Sequence, residues 1–305
     1  MTLPRRVQRL TLAAFSVAVL LGGANFVAVR LSNQELAPFW GAGLRFALAA
    51  VLFVLIALFL RLRWPRGRLL ALTAVYGALA FAIPYALLYW ALTQATAGSA
   101  TVVMAGVPLV TLLLAVTQRL ERFTLRALAG SVLALGGIAW MVLGSQGVSA
   151  PAGAVLAMLG ATLAVGQSII LGKQLSANHP AMTNAVAMTI AALLLIMLSA
   201  AVNEVWGLPS QPGVAAALAY LVTLGSVGLF ILVLLVVRTW TSSASSYMFV
   251  LFPVVTMGLA AWLIEEPVTL PAVLGAALVM TGVWFGALSG TTLSGTAPST
   301  RSHSP

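Results

Sequence analysis

The sequence has no cysteine and no aspartate, so five glutamates are its only carboxylates and two histidines its only imidazoles. Without cysteine there are no disulfides, thiolate nucleophiles or zinc–sulfur sites. His179 falls in a polar segment and His303 near the C-terminus, which leaves every apolar run without His, Cys or Asp. Catalytic triads, carboxylate dyads and most metal sites therefore lack their parts. The expectation is a protein that is not an enzyme and needs no cofactor and no metal. Charge is also scarce: 7% of the 305 residues are charged, against roughly 25% in an average globular chain. With 61% hydrophobic residues and a mean hydropathy of +1.08, the solvent this chain suits is a bilayer. The net charge of +10 comes mostly from arginines dispersed between apolar runs, without the interleaved aromatics of a nucleic-acid surface.

What the chain has in quantity is long apolar runs. Ten are found, near 10–31, 38–60, 69–91, 100–117, 124–143, 152–173, 181–202, 213–237, 243–263 and 271–288. Each is long enough as a helix to cross a hydrocarbon core of about 30 Å. The fold class is thus all-α and polytopic, with ten transmembrane helices. Arg5, Arg6 and Arg9 precede the first run as in a secretory signal, but the run is too long for a signal's apolar core. Residues 289–305, rich in Ser, Thr, Gly and Pro, read as a disordered tail.

Placed on ten spans, the cations sort themselves. Thirteen fall on one side: Arg5, Arg6, Arg9, Arg61, Arg63, Arg66, Arg68, Arg119, Arg122, Arg126, Lys173, Arg238 and Arg301. Arg30 alone lies on the other, and Arg45 lies within a span. Cations accumulate on the cytoplasmic side, so both termini are expected there. Glu35, Glu204, Glu265 and Glu266 then fall outside, and the eight tryptophans lie near helix ends as an interfacial belt.

The chain also repeats itself. A shift of 145 aligns Pro108–Gly137 with Pro253–Gly282 without a gap, and twelve of these thirty positions are identical. Matched Pro, Glu, Thr and Gly are not explained by a shared bias toward Ala, Leu and Val. A shift of 143 puts Gly23, Asn25 and Arg30 on Gly166, Ser168 and Lys173. The unit is five helices, an odd number, so the copies must insert with opposite orientations: Glu121 is expected inside, Glu266 outside. The organisation read from this is a segment 1–9, a first repeat 10–143, a linker 144–151, a second repeat 152–288 and the tail. Inverted copies give two related ways to open, one toward each face, as alternating access requires.

These residues resemble a known family. Gly23, Asn25, Phe26 and Arg30; Pro38 and Arg45; Ala91-Leu92, Ala97, Ala100 and Pro108; Leu120-Glu121-Arg122, Thr124 and Gly130; and the echo Pro253, Glu265-Glu266, Thr269 and Gly275 look like the EamA-domain group of the drug/metabolite transporter superfamily. The resemblance covers about residues 10–288. It implies a carrier in the bacterial inner membrane, commonly an exporter of amino acids or related metabolites, with a cavity lined by both halves. Among such proteins it is most similar to the aromatic amino acid and methionine exporters; export of lipophilic drugs or carriage of sugars is the alternative.

Candidate substrate-binding residues follow from polarity at depth. Pro108 and Pro253 fall mid-span at equivalent places and are expected to kink or break their helices near the site, bringing Met104 and Phe249 toward it. Arg45 lies seven residues into its span, about 10 Å deep, where a guanidinium either holds a substrate carboxylate or snorkels outward. Asn25, Gln167 and Ser226 are in-span polar groups able to bond a zwitterion or a neighbouring helix. Phe81, Tyr85 and Tyr89 form one stripe near Pro84, suited to stacking a side chain or packing a helix. Gly130, Gly137, Gly275 and Gly282 read as close-packing positions. No titratable carboxylate or His lies near a midplane, which points to facilitated or exchange transport rather than proton coupling. The partners expected are a small-molecule substrate and the lipid bilayer, with no nucleic acid, in a monomer or weak homo-oligomer.

Overall fold

The computed structural model describes residues 5–119, 125–144, 150–175, 178–239 and 242–285. Glu121, Thr124 and the tail lie outside them. Within the described residues the elements are all helical: α1 (Arg5–Ser32), α2 (Pro38–Phe59), α3 (Arg68–Gly77), α4 (Ile83–Ala91), α5 (Ala97–Met104), α6 (Val107–Thr117), α7 (Leu125–Gly144), α8 (Ala152–Gly172), α9 (Pro180–Ala201), α10 (Pro212–Val222), α11 (Leu229–Thr239), α12 (Ser242–Leu263) and α13 (Leu270–Val283). Among the described residues, seven helical runs are long and apolar enough to cross a membrane. Three shorter apolar stretches, Leu128–Trp140, Met248–Leu263 and Leu270–Val283, lie among them.

Local chemistry sets the ends. Pro38, Pro180 and Pro212 open α2, α9 and α10, where a missing N–H costs no helical bond. Thr96 and Thr269 cap α5 and α13, their hydroxyls accepting from Ser99 N at 3.1 Å and Ala272 N at 3.4 Å. Arg61, Arg119, Asn203 and Glu265 adopt φ of 51°, 60°, 56° and 54°, closing α2, α6, α9 and α12 with a left-handed residue.

The duplication is visible in the packing. Helix α2 lies along α9, α7 along α13, α1 along α12, and α8 along α4, α5 and α6. A Cβ on Gly137 would lie 2.8 Å from Gly275 O, and one on Gly282 would lie 2.6 Å from Gly130 O. Since 130 and 137 correspond to 275 and 282, the first glycine of each copy meets the second of the other. That crossing makes α7 and α13 antiparallel, as copies of opposite orientation require. The absent side chains let two backbones touch where lipid gives no hydrophobic drive to associate.

The helices are interrupted where the sequence gives little warning. Helices α3 and α4 are joined by a π-helical turn, Ala78–Ala82, and α10 and α11 by another, Thr223–Gly228. The 145-residue shift superimposes the two turns. Between α5 and α6 the chain breaks at Ala105 and Gly106, just ahead of Pro108. Of the kink or break expected at each proline, the second copy shows no break: helix α12 runs on through Pro253. The second copy carries Leu251 where the first has Gly106. A proline alone removes one helical hydrogen bond, which a helix can absorb.

Candidate functional site

Around the second π-helical turn a carbonyl is released from helical pairing. The Leu229 N–H, which an α-helix would direct to Gly225 O, donates instead to Leu224 O and Ser226 O. Gly225 O then accepts from Asn25 Nδ2 at 3.1 Å and from Arg45 Nη2 at 2.9 Å. Arg45 Nε donates to Ser226 Oγ at 2.9 Å. Three of the sequence candidates, on three helices and in both copies, thus meet at one point.

The guanidinium is sealed in. Arg45 has no exposed surface, and its carbon lies 4.9 Å from the Tyr85 ring centre and 5.2 Å from that of Phe46. Phe46 meets the Tyr85 ring edge-on at 4.7 Å, and Phe81 sits 5.4 Å from Phe46 and 4.9 Å from Phe230. Aromatic faces suit a cation, yet they do not neutralise it. No carboxylate of the described residues pairs with Arg45; the ion pair they contain joins Arg30 Nε to Glu266 Oε1 at 2.7 Å. Burying a guanidinium without a counter-charge is costly in hydrocarbon.

Arg45 Nη1 and Asn25 Oδ1 remain without hydrogen-bond partners in this neighbourhood, and the Tyr89 hydroxyl lies beside Arg45 and Ser32. Two can donate and one accepts. The set matches a group carrying an anionic and a cationic end. The other candidates lie elsewhere: Gln167 Oε1 accepts from Gln118 Nε2 at 2.7 Å, Met104 Sδ from the Thr162 hydroxyl at 3.4 Å, and Phe249 stacks 5.2 Å from Phe252. Gly225, Phe46 and Tyr220, whose hydroxyl donates to Leu21 O at 2.7 Å, were not candidates in the sequence. Gly225 and Gly228 flanking Ser226 in an apolar run are the one signal that pointed there.

Above this centre, at the arginine-poor end, glutamates tie the copies together. Glu204, from the second copy, accepts from Phe39 N at 3.1 Å and Trp40 N at 2.7 Å, the first turn of α2. Beside it Trp40 stacks on Trp206 at 4.9 Å. Glu266 pairs with Arg30 and accepts from Ala97 N at 3.1 and 3.2 Å; Arg30 Nη1 also donates to Leu92 O and Ala95 O. Glu35, from the first copy, accepts from Ser210 and Gln211 ahead of α10. The Ser210 hydroxyl and the Gln211 N–H hold its carboxyl below the ordinary value of 4.5.

Comparison with known proteins places this architecture. The model of the EamA-like transporter family matches residues 9–143 and again 152–287. The chain is 29% identical over 219 residues to YedA of Escherichia coli (strain K12), named an uncharacterized inner membrane transporter; the match covers 70% of either chain. It is 27% identical over 131 residues to the protein PagO of Salmonella typhimurium, 42% of this chain and 43% of PagO. A crystal structure of a protein 18% identical has the same fold, with a TM-score of 0.66 over 91% of this chain and 96% of that one.

Proposed function

The chain belongs to the EamA-like transporter family, and from that premise we propose that it is an alternating-access carrier of small zwitterionic metabolites, above all amino acids, aromatic ones and methionine included. In this reading all ten apolar helical runs cross the bacterial inner membrane, both termini are cytoplasmic, and the arginine-poor end faces outward. Net movement is export, facilitated or by exchange down the substrate's own gradient, because no glutamate of the described residues lies at mid-depth of a helix.

One observation carries the substrate assignment: Arg45 is a buried cation with an unspent N–H and no carboxylate of its own. A substrate carboxylate supplies the missing charge, bonded by Arg45 Nη1 and the Tyr89 hydroxyl, while Asn25 Oδ1 accepts from its ammonium group. Two-point recognition of this kind selects a zwitterion over a neutral solute. The ring cluster of Phe46, Phe81 and Tyr85 offers an apolar wall to the side chain.

Counterflow in vesicles holding the purified protein tests it. Phenylalanine and methionine should exchange, their decarboxylated amines should not, and Arg45→Gln should lower amino acid exchange at least about tenfold, the cost of one charge-assisted bond pair. Exchange of amines or sugars equal to that of amino acids, or full activity in Arg45→Gln, would overturn the assignment.

A further inference from the structure

The arginine-poor end is closed by an arrangement that no packing requirement demands. Three carboxylates at that end each cross from one copy to the other and cap the start of a helix there. Glu204 holds α2, Glu266 holds α5, and Glu35 holds the backbone that leads into α10. A helix N-terminus concentrates unpaired N–H groups and partial positive charge, so each carboxylate is bound by both bonds and field. Two of the helices they hold, α2 and α10, lead to the buried centre. Arg45 is on α2, five residues beyond the Trp40 N–H that Glu204 holds, and the π-helical turn follows α10.

We propose that Glu35, Glu204 and Glu266, with Arg30, form the outer gate of the carrier, and that this gate must release for Arg45 to meet the arginine-poor side. The idea rests on the carrier reading but not on the identity of the substrate. Hydrophobic contacts alone would let the copies slide; charge-assisted bonds to backbone N–H groups have one geometry and break together. When they break, the freed carboxylates and N–H groups meet water rather than lipid, so the open state is not penalised by buried orphans. The gate also answers to acid. The charged groups at this end among the described residues are Arg30, Glu35, Glu204, Glu265 and Glu266. Once protonated, the Glu35 carboxyl is a poorer acceptor for the Ser210 and Gln211 N–H groups, so acid below its lowered titration range loosens the closure on this side.

The absence of native cysteine makes a clean test possible. Ser32 ends α1 beside Tyr89 and is 1% exposed, so Ser32→Cys reports on water reaching beneath the gate. Val205, 84% exposed in the loop carrying Glu204, provides Val205→Cys as the reference for thiol reactivity at each pH. A membrane-impermeant maleimide is added to the arginine-poor side of intact vesicles. Relative to the reference, labelling of the Ser32→Cys chain should rise roughly 5- to 30-fold when Glu204→Gln or Glu266→Gln is added, the range that one or two kcal/mol of lost closure produces. It should also rise in the unsubstituted gate as pH falls from 7 to below 4.5, where the Glu35 contacts are lost, and become independent of pH in the triple Gln chain. The acid arm needs no gate substitution, so misfolding of a variant cannot rescue the idea. Labelling that stays flat in the single variants and across pH would overturn it. Because labelling requires no transported solute, failure of the amino acid assignment in counterflow and failure of the gate appear in different measurements.

Discussion

Arg45 brings five N–H donors into a space where water is excluded, and no single-point cation replaces them. Arg45→Lys keeps the charge but cannot bond Ser226 Oγ and Gly225 O while still offering a donor outward. The expected outcome is amino acid exchange reduced by about tenfold or more with the fold retained, checked by counterflow beside a thermal melt. At the surface, Glu35 gives a pH signature with a definite sign. Its folded-state carboxyl titrates below 4.5, so its stabilising contacts are fully present above that value and are lost as pH falls through the folded value. The melting temperature of the natural chain should therefore exceed that of Glu35→Gln at pH 7, and the difference should vanish toward pH 3. A constant difference across that range would mean that Ser210 and Gln211 are held by something else. Arg45, Asn25 and Ser226 were legible in the sequence because polarity inside an apolar run needs a reason. Phe46 and Tyr220 were harder to single out, since an aromatic residue in a membrane helix explains itself.

Elements proved legible as long apolar helices but not in their defects. A π-helical turn leaves no mark in hydropathy, because it adds backbone without changing composition; only the shared offset of 145 between Ala78–Ala82 and Thr223–Gly228 betrays it. Pro253 taught the opposite lesson. By analogy with Pro108 it was expected to kink or break its helix, yet α12 runs on through it. Gln167 looked like a site residue by depth, yet its partner is Gln118 at the end of α6. The second π-helical turn can be probed directly. A Cβ on Gly225 would collide with Asn25 Oδ1, so Gly225→Ala must push that amide off the shared carbonyl. The expected result is a loss of stability of about 1–3 kcal/mol together with a loss of exchange. Gly228→Ala, whose nearest contact would be 3.6 Å away, should leave both close to the natural chain.

For the whole molecule, the duplication was legible because identity concentrated in one stretch, and the antiparallel contact of α7 and α13 explains why it did. Adjacent glycines in α7 separate the two reasons for having glycine in a helix. Gly136 has nothing within 4 Å of a built Cβ, whereas Gly137 would meet Gly275 O at 2.8 Å and Val279 N at 3.0 Å. Gly136→Ala should raise the unfolding free energy by up to about 1 kcal/mol through helix propensity. Gly137→Ala should lower it by about 1–3 kcal/mol, since backbone atoms cannot step aside; equal melting temperatures would contradict the packing. The crossing of these glycines has a consequence for how the two copies could diverge. Along that seam each position is answered by its own counterpart, so a change in one copy is judged at once by the other, as in a self-complementary dimer interface. Elsewhere no such reciprocity operates. Asn25 stands where the second copy has Ser168, and Phe81 where it has Ser226. A lopsided centre with a single cation could thus arise inside a symmetric frame, with chemistry free to drift and geometry held in common.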